Sequence, residues 1–122
     1  KEIICLIDLA ATGAALAGTT LPAEAAPDSF NCLPTIADGA QSPREALVLE
    51  GRAIRRGDWK YVLKQRTKKQ EGEEASSESP GELYNLADDI GETKDLADKH
   101  PDLAKELYGK LIAARQAKRT RS

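Results

Sequence analysis

The sequence predicts an α+β fold: a small antiparallel β-sheet of about four strands, packed by a long C-terminal helix, with an additional N-terminal helix. Three observations carry this. Trp59, Tyr61 and Leu63 alternate with Lys60, Val62 and Lys64, the two-residue period of a strand. Arg56-Gly57-Asp58 lies between that run and Ala53-Ile54, as a glycine turn joining antiparallel neighbours. Leu103, Leu107, Leu111 and Ala114 recur at four, four and three, with Tyr108 and Ile112 beside them, drawing one apolar stripe along a helix.

Taken in order, a first helix is expected from Ile3 to Ala17, because Ile4, Leu6 or Ile7, Ala11, Ala15 and Leu16 keep roughly helical spacing. Gly18 is placed to end it in a left-handed cap. "TTLPAEAAPDSFNCLPTIADGAQSPRE" holds prolines at 22, 27, 34 and 43 and reads as an irregular, ordered connection with one helical turn over Asn31 to Ala37. Leu47, Val48 and Leu49 form a short strand, followed by the two around the glycine turn. Residues 65 to 81, "QRTKKQEGEEASSESPG", contain only Ala75 as an apolar side chain and read as a solvated, mobile loop. Leu83-Tyr84-Asn85-Leu86 adds a strand to the same sheet, and a short helix through Leu96-Ala97 is expected after the acidic run that follows. The last helix starts at Pro101, which suits a first turn; Asp102 complements its positive end, and Lys118, Arg119 and Arg121 its negative end.

At 122 residues the chain is sized for a single domain, 1–122. Eighteen basic and twenty acidic side chains nearly cancel, so no global field exists to hold nucleic acid. "KEIICLIDLAATGAALAG" imitates a signal peptide, but Glu2 and Asp8 interrupt it, and it is too short and polar to span a bilayer. No nucleic acid and no membrane are therefore expected as partners. The absence of Met is expected of a piece of something longer.

Candidate chemistry is sparse. Asp88, Asp89, Glu92 and Asp95 lack the alternating donors of a calcium loop, and Asp and Gly are ordinary turn residues, so the pattern favours a structural join over a metal site. His100, the sole imidazole, has no nucleophile arranged around it and stands where a helix begins. Lys64, Arg66, Lys68 and Lys69 have no interleaved aromatics and read as a solvated face. Cys5 and Cys32 have no second Cys or His at zinc-ligand spacing; a bridge between them and two free thiols both remain open.

Two segments in order, "AIRRGDWKYVL" at 53 to 63 and "ELYNLADDIGETKDLADKHPDLAKEL" at 82 to 107, resemble the closing region of the sulfatases, formylglycine-dependent hydrolases of the alkaline phosphatase superfamily. "DLAATGAALAGTTLPAEAAPDSFNCLPTIADGAQSPREALVLE" at 8 to 50 is similar to the segment that leads into it, and arylsulfatase-type members are the closest. The resemblance implies a C-terminal, non-catalytic subdomain whose partner is the N-terminal catalytic domain of the same chain, acting on a sulfate-ester substrate. It places the formylglycine, made from Cys or Ser in Cys/Ser-x-Pro-x-Arg, and a calcium in that N-terminal domain. It favours a periplasmic or secreted location. Cys32-Leu33-Pro34-Thr35-Ile36 meets the first three requirements of the motif, but Ile36 replaces the arginine, so Cys32 is read as structural. Leu49-Glu50-Gly51-Arg52 departs from relatives that carry histidines after this strand. No catalytic, cofactor-binding or metal residue is therefore expected within 1–122. A phosphonate or phosphate monoesterase of the superfamily, and a free-standing interaction module, are the other readings.

Overall fold

The computed structural model describes residues 2–64 and 81–117. Of the stretch read as a loop, all but Gly81 lies outside the described residues, as do Lys118, Arg119 and Arg121. The chain runs through a 3-10 turn Leu6–Asp8, α1 Leu9–Leu16, α2 Leu33–Asp38, β1 Leu47–Leu49, β2 Ala53–Arg56, β3 Trp59–Leu63, β4 Gly81–Asn85 and α3 Pro101–Ala117. The strands form one sheet in the order β1-β2-β3-β4, each antiparallel to its neighbour.

The expected glycines act where the backbone must turn. Gly57 takes φ 57° at the first of the two central positions between Arg56 and Trp59, the left-handed geometry of a two-residue hairpin. Gly18 takes φ 73°, while its N–H donates to Ala15 O and that of Thr19 to Ala14 O, at 3.1 and 2.9 Å. That pair of bonds is the Schellman closure of α1.

Ile54, Tyr61 and Leu83 face one another across β2, β3 and β4 and are at most 2% exposed. Ala104, Leu107 and Leu111 of α3 close over them, with Trp59, Leu63, Leu103 and Tyr108 packed at the margins. The helix therefore does cover the sheet, although its innermost line runs through Ala104 rather than Leu103. Gly81 lies tight against this core: a Cβ there would fall 2.3 Å from the Tyr61 ring and 2.6 Å from Val62 O.

Two local expectations are corrected. The first helix does not start at Ile3: the backbone is extended at Cys5, passes through the 3-10 turn, and becomes α-helical at Leu9. Leu6, Ile7 and Leu16, counted on an inner stripe, are exposed, while Asp8 is buried. The segment Leu96-Ala97 is a single hydrogen-bonded turn, with the Lys99 and His100 N–H groups both donating to Leu96 O. Asp95 accepts both the Leu83 and the Ala97 N–H groups with one oxygen, tying the turn to β4.

Leu107→Ala should lower unfolding free energy by about 2 to 5 kcal/mol through the cavity it leaves, and Gly81→Ala by about 1 to 3 kcal/mol through overpacking. Urea denaturation followed by circular dichroism measures both. A Gly81→Ala midpoint equal to the parent's would show that Tyr61 can move aside freely.

Candidate functional site

The acidic join is built from polar contacts that engage three of its four carboxylates, those of Asp89, Glu92 and Asp95. Asp89 accepts from the Thr93 N–H and the Lys94 N–H, both at 2.8 Å, and from the Thr93 hydroxyl at 2.9 Å. The Lys94 N–H, with Thr93, holds the Asp89 carboxyl below the usual carboxylate range. Glu92, with φ 53°, turns back to pair with Lys60 on β3. Asp95 accepts the Leu83 N–H at 3.0 Å, and the Leu96 N–H donates to Leu83 O at 2.7 Å, so both polar groups of Leu83 on the outer edge of β4 are satisfied by the loop. Asp88 is exposed. Among the described residues, no three His, Cys, Asp or Glu side chains come together to hold a metal ion.

His100 is exposed and stands immediately before α3, its carbonyl accepting the Ala104 N–H. Its ring meets Trp59 edge to face at 5.1 Å between centroids. Tyr84 donates to Glu82, and burial followed by that hydrogen bond pushes its hydroxyl up to about 12, out of range for proton transfer near neutrality. A cavity of about 530 Å³ between the sheet and the end of α3 is lined by Phe30, Ala46, Val48, Ile54 and Ala113, with Glu45 and Lys110 as its charged groups. Those two supply no nucleophile–base pair.

The polar groups that sequence reasoning missed lie in the N-terminal part. Asp8, 1% exposed, accepts from Arg44 Nη2 at 2.6 Å and Arg44 Nε at 3.1 Å, a two-pronged ion pair. The same carboxylate accepts the Phe30 N–H at 3.0 Å and reaches back to the Cys5 N–H at 2.9 Å. Arg44, 4% exposed, also donates to Asp28 O and lies over the Phe30 ring, 4.7 Å from its centroid. Ser29 accepts the Ala11 N–H, one of the donors a helix start leaves open, and Thr12 accepts the Cys32 N–H. Burial alone would raise the Asp8 carboxyl, but hydrogen bonds from Arg44, Phe30 and Cys5 together with the Arg44 charge more than offset it, so the net shift is down.

Cys32 sits inside this network and is fully buried. Burial, then the nearby Asp8 charge, pushes its thiol up and keeps it protonated. Ile36 at the arginine position is exposed, and the neighbouring guanidinium, Arg44, is committed to Asp8. Cys5 and Cys32 are free thiols. The clearest signal of the network in the sequence was Asp8 itself, a charge inside an apolar run.

No protein-family model matches the chain. It is 33% identical over 118 residues to an N-acetylgalactosamine-6-O-sulfatase of Bacteroides thetaiotaomicron, covering 88% of this chain and 22% of that relative, in its C-terminal part. A solved structure from work on the metabolism of multiple glycosaminoglycans by Bacteroides thetaiotaomicron superposes with a TM-score of 0.73 at 28% identity, over 95% of this chain and 26% of the other. The crystal structure of Ps i-CgsB shares the fold, with a TM-score of 0.66 at 21% identity over 93% of this chain and 24% of the other. This chain thus spans about a fifth to a quarter of each of these proteins.

Removing the Asp8 charge should cost about 3 to 5 kcal/mol, because it strands Arg44 in the interior. The sign of the pH dependence follows from the lowered carboxyl: its stabilisation is present above the unfolded value of 3.8 and lost as pH falls through the lower folded one. Thermal melts from pH 6 down to about pH 2 should therefore fall more steeply for the parent than for Asp8→Asn. Parallel curves would remove the ion pair from the account of acid stability.

Proposed function

We propose that this chain, whose sequence and fold are those of a sulfatase C-terminal subdomain, completes a longer enzyme that hydrolyses sulfate esters. The observation that carries the reading is the match to the C-terminal part of a sulfatase at a level where sequence and fold agree. The N-acetylgalactosamine-6-O-sulfatase among its relatives makes a sulfated amino sugar the first substrate to test.

The resemblance assigns two groups to the parent, a formylglycine and a calcium, and the described residues fit neither. Cys32 is buried with its thiol held protonated, Asp89, Glu92 and Asp95 of the acidic join are engaged by backbone N–H groups and by Lys60, and among the described residues no three possible ligands come together. The chemistry is accordingly assigned to a preceding N-terminal domain, and no catalytic step passes through this chain. Its contribution is a rigid body: a sheet backed by α3, with the β4 edge closed by Asp95 and Leu96.

Two measurements test the proposal together. The coding sequence upstream of Lys1 should contain Cys/Ser-x-Pro-x-Arg, and the full chain should release sulfate from an aryl sulfate and from an N-acetylgalactosamine 6-sulfate, whereas the 122-residue chain releases none. A different nucleophile motif upstream, with turnover of a phosphonate or phosphate monoester instead, would overturn the sulfatase reading. Turnover by the 122-residue chain alone would overturn its non-catalytic role.

A further inference from the structure

We propose that the pocket at the β2–β3 hairpin end of the sheet, walled by Arg56, Asp58, Trp59, Asn85 and Leu103, binds an uncharged sugar ring. The choice of a sugar rests on reading the parent as a hydrolase of sulfated carbohydrate. The site itself goes beyond that reading, since it holds a ring and hydrolyses nothing.

The strand register builds the site. Ile54, Tyr61 and Leu83 stand opposite one another in the core, and two residues further along each strand, on the same face, come Arg56, Trp59 and Asn85. Arg56 is opposite Trp59 and Trp59 is opposite Asn85, so one indole lies between a guanidinium and a carboxamide. This second row is incompletely covered: Trp59 and Asn85 are half-buried and Arg56 is exposed. Leu103 and Leu107 add an apolar wall from α3, and a space of about 330 Å³ is left open, within the range of small-ligand sites. His100 meets the indole at 5.1 Å between centroids but is no wall of the pocket, so it steadies the ring without filling the space. The Leu86 N–H donates to Asp58 O at 2.7 Å, which ties the hairpin tip to the end of β4 and fixes the rim.

A pyranose has a flat face of C–H groups and a rim of hydroxyls. Its polarised C–H groups are attracted to the negative face of an aromatic ring, and its hydroxyls pair with side-chain donors and acceptors. The pocket offers both. Among the described residues the Trp59 indole N–H, the Asn85 amide nitrogen and the Asp58 carboxylate make no hydrogen bond, while the Asn85 oxygen accepts the Ala87 N–H at 3.0 Å. Two donors and an acceptor therefore stand open around one aromatic ring.

Charge selects the kind of ring. Arg56 Nη1 donates to Glu106 Oε1 at 2.6 Å, so its charge is answered from α3. Asp58 adds a carboxylate that pairs with no cation among the described residues. The charges at the pocket thus sum to a negative one, which suits a neutral ring and opposes a sulfate or a carboxylate.

Saturation-transfer NMR on the full-length chain, with N-acetylgalactosamine as the probe, tests the proposal. Expected is a dissociation constant on the order of 1 mM, which is what one small ring can reach. Trp59→Leu, Asn85→Asp and Asp58→Ala should each raise it about tenfold. Asn85→Asp keeps the acceptor for Ala87, and Asp58 is exposed, so these two variants carry the test should Trp59→Leu fail to fold. Their thermal midpoints should equal the parent's. Glucuronate, an anionic ring of similar size, should bind about tenfold more weakly than N-acetylgalactosamine. No binding of N-acetylgalactosamine, or binding that the folded variants leave unchanged, overturns the proposal, and glucuronate binding as tight overturns the assignment to an uncharged ring. Binding lost in the variants of a full-length chain that hydrolyses no sulfate ester upholds the pocket and sinks only the activity.

Discussion

The N-terminal part of the molecule depends on the ion pair between Asp8 and Arg44. Those residues lie 36 positions apart, and both are almost wholly out of water. A buried carboxylate is tolerated only when its charge and its lone pairs are met. Arg44 meets the charge with two prongs, and the Phe30 and Cys5 N–H groups take further lone pairs. Turning Asp8 inward fixes the rotation of everything attached to it. The apolar residues on either side, Ile7 and Leu9, are thereby sent outward, and the irregular connection through Asp28, Ser29 and Phe30 is tied across the start of α1.

The C-terminal part is organised by a different force. Its sheet and α3 are held by apolar contact, with Ile54, Tyr61 and Leu83 on one side and Ala104, Leu107 and Leu111 on the other. The polar groups here close edges. Asp95 and Leu96 occupy the outer side of β4 at Leu83, where an open strand would invite pairing with another chain. The acidic join is thus edge protection and turn geometry in one short segment, which explains why carboxylates suit it: acceptors without donors are what a row of N–H groups requires.

How much of this was legible follows from the range of the forces involved. The glycine turns at Gly18 and Gly57 and the α3 stripe were readable because their causes are local, within a few residues of one another. The four-strand meander was readable for the same reason, each strand pairing with its sequence neighbour. Asp8 was not, because its partner is distant and a charge within an apolar run looks like an interruption until the guanidinium is placed. The apolar period of residues 3 to 17 misled for a related reason: periodicity reports that a face is apolar, not which body it faces. The join was half legible; turn chemistry followed from Asp and Gly, but the bond from Leu83 to Asp95 needed the fold.

The edge-to-face contact of Trp59 with His100 has an optical side. The chain has one tryptophan and one histidine, and the fold puts them against each other where the first turn of α3 meets β3. All indole emission from this chain therefore comes from the seam between helix and sheet. The molecule carries a built-in fluorophore that reports whether its two layers are together.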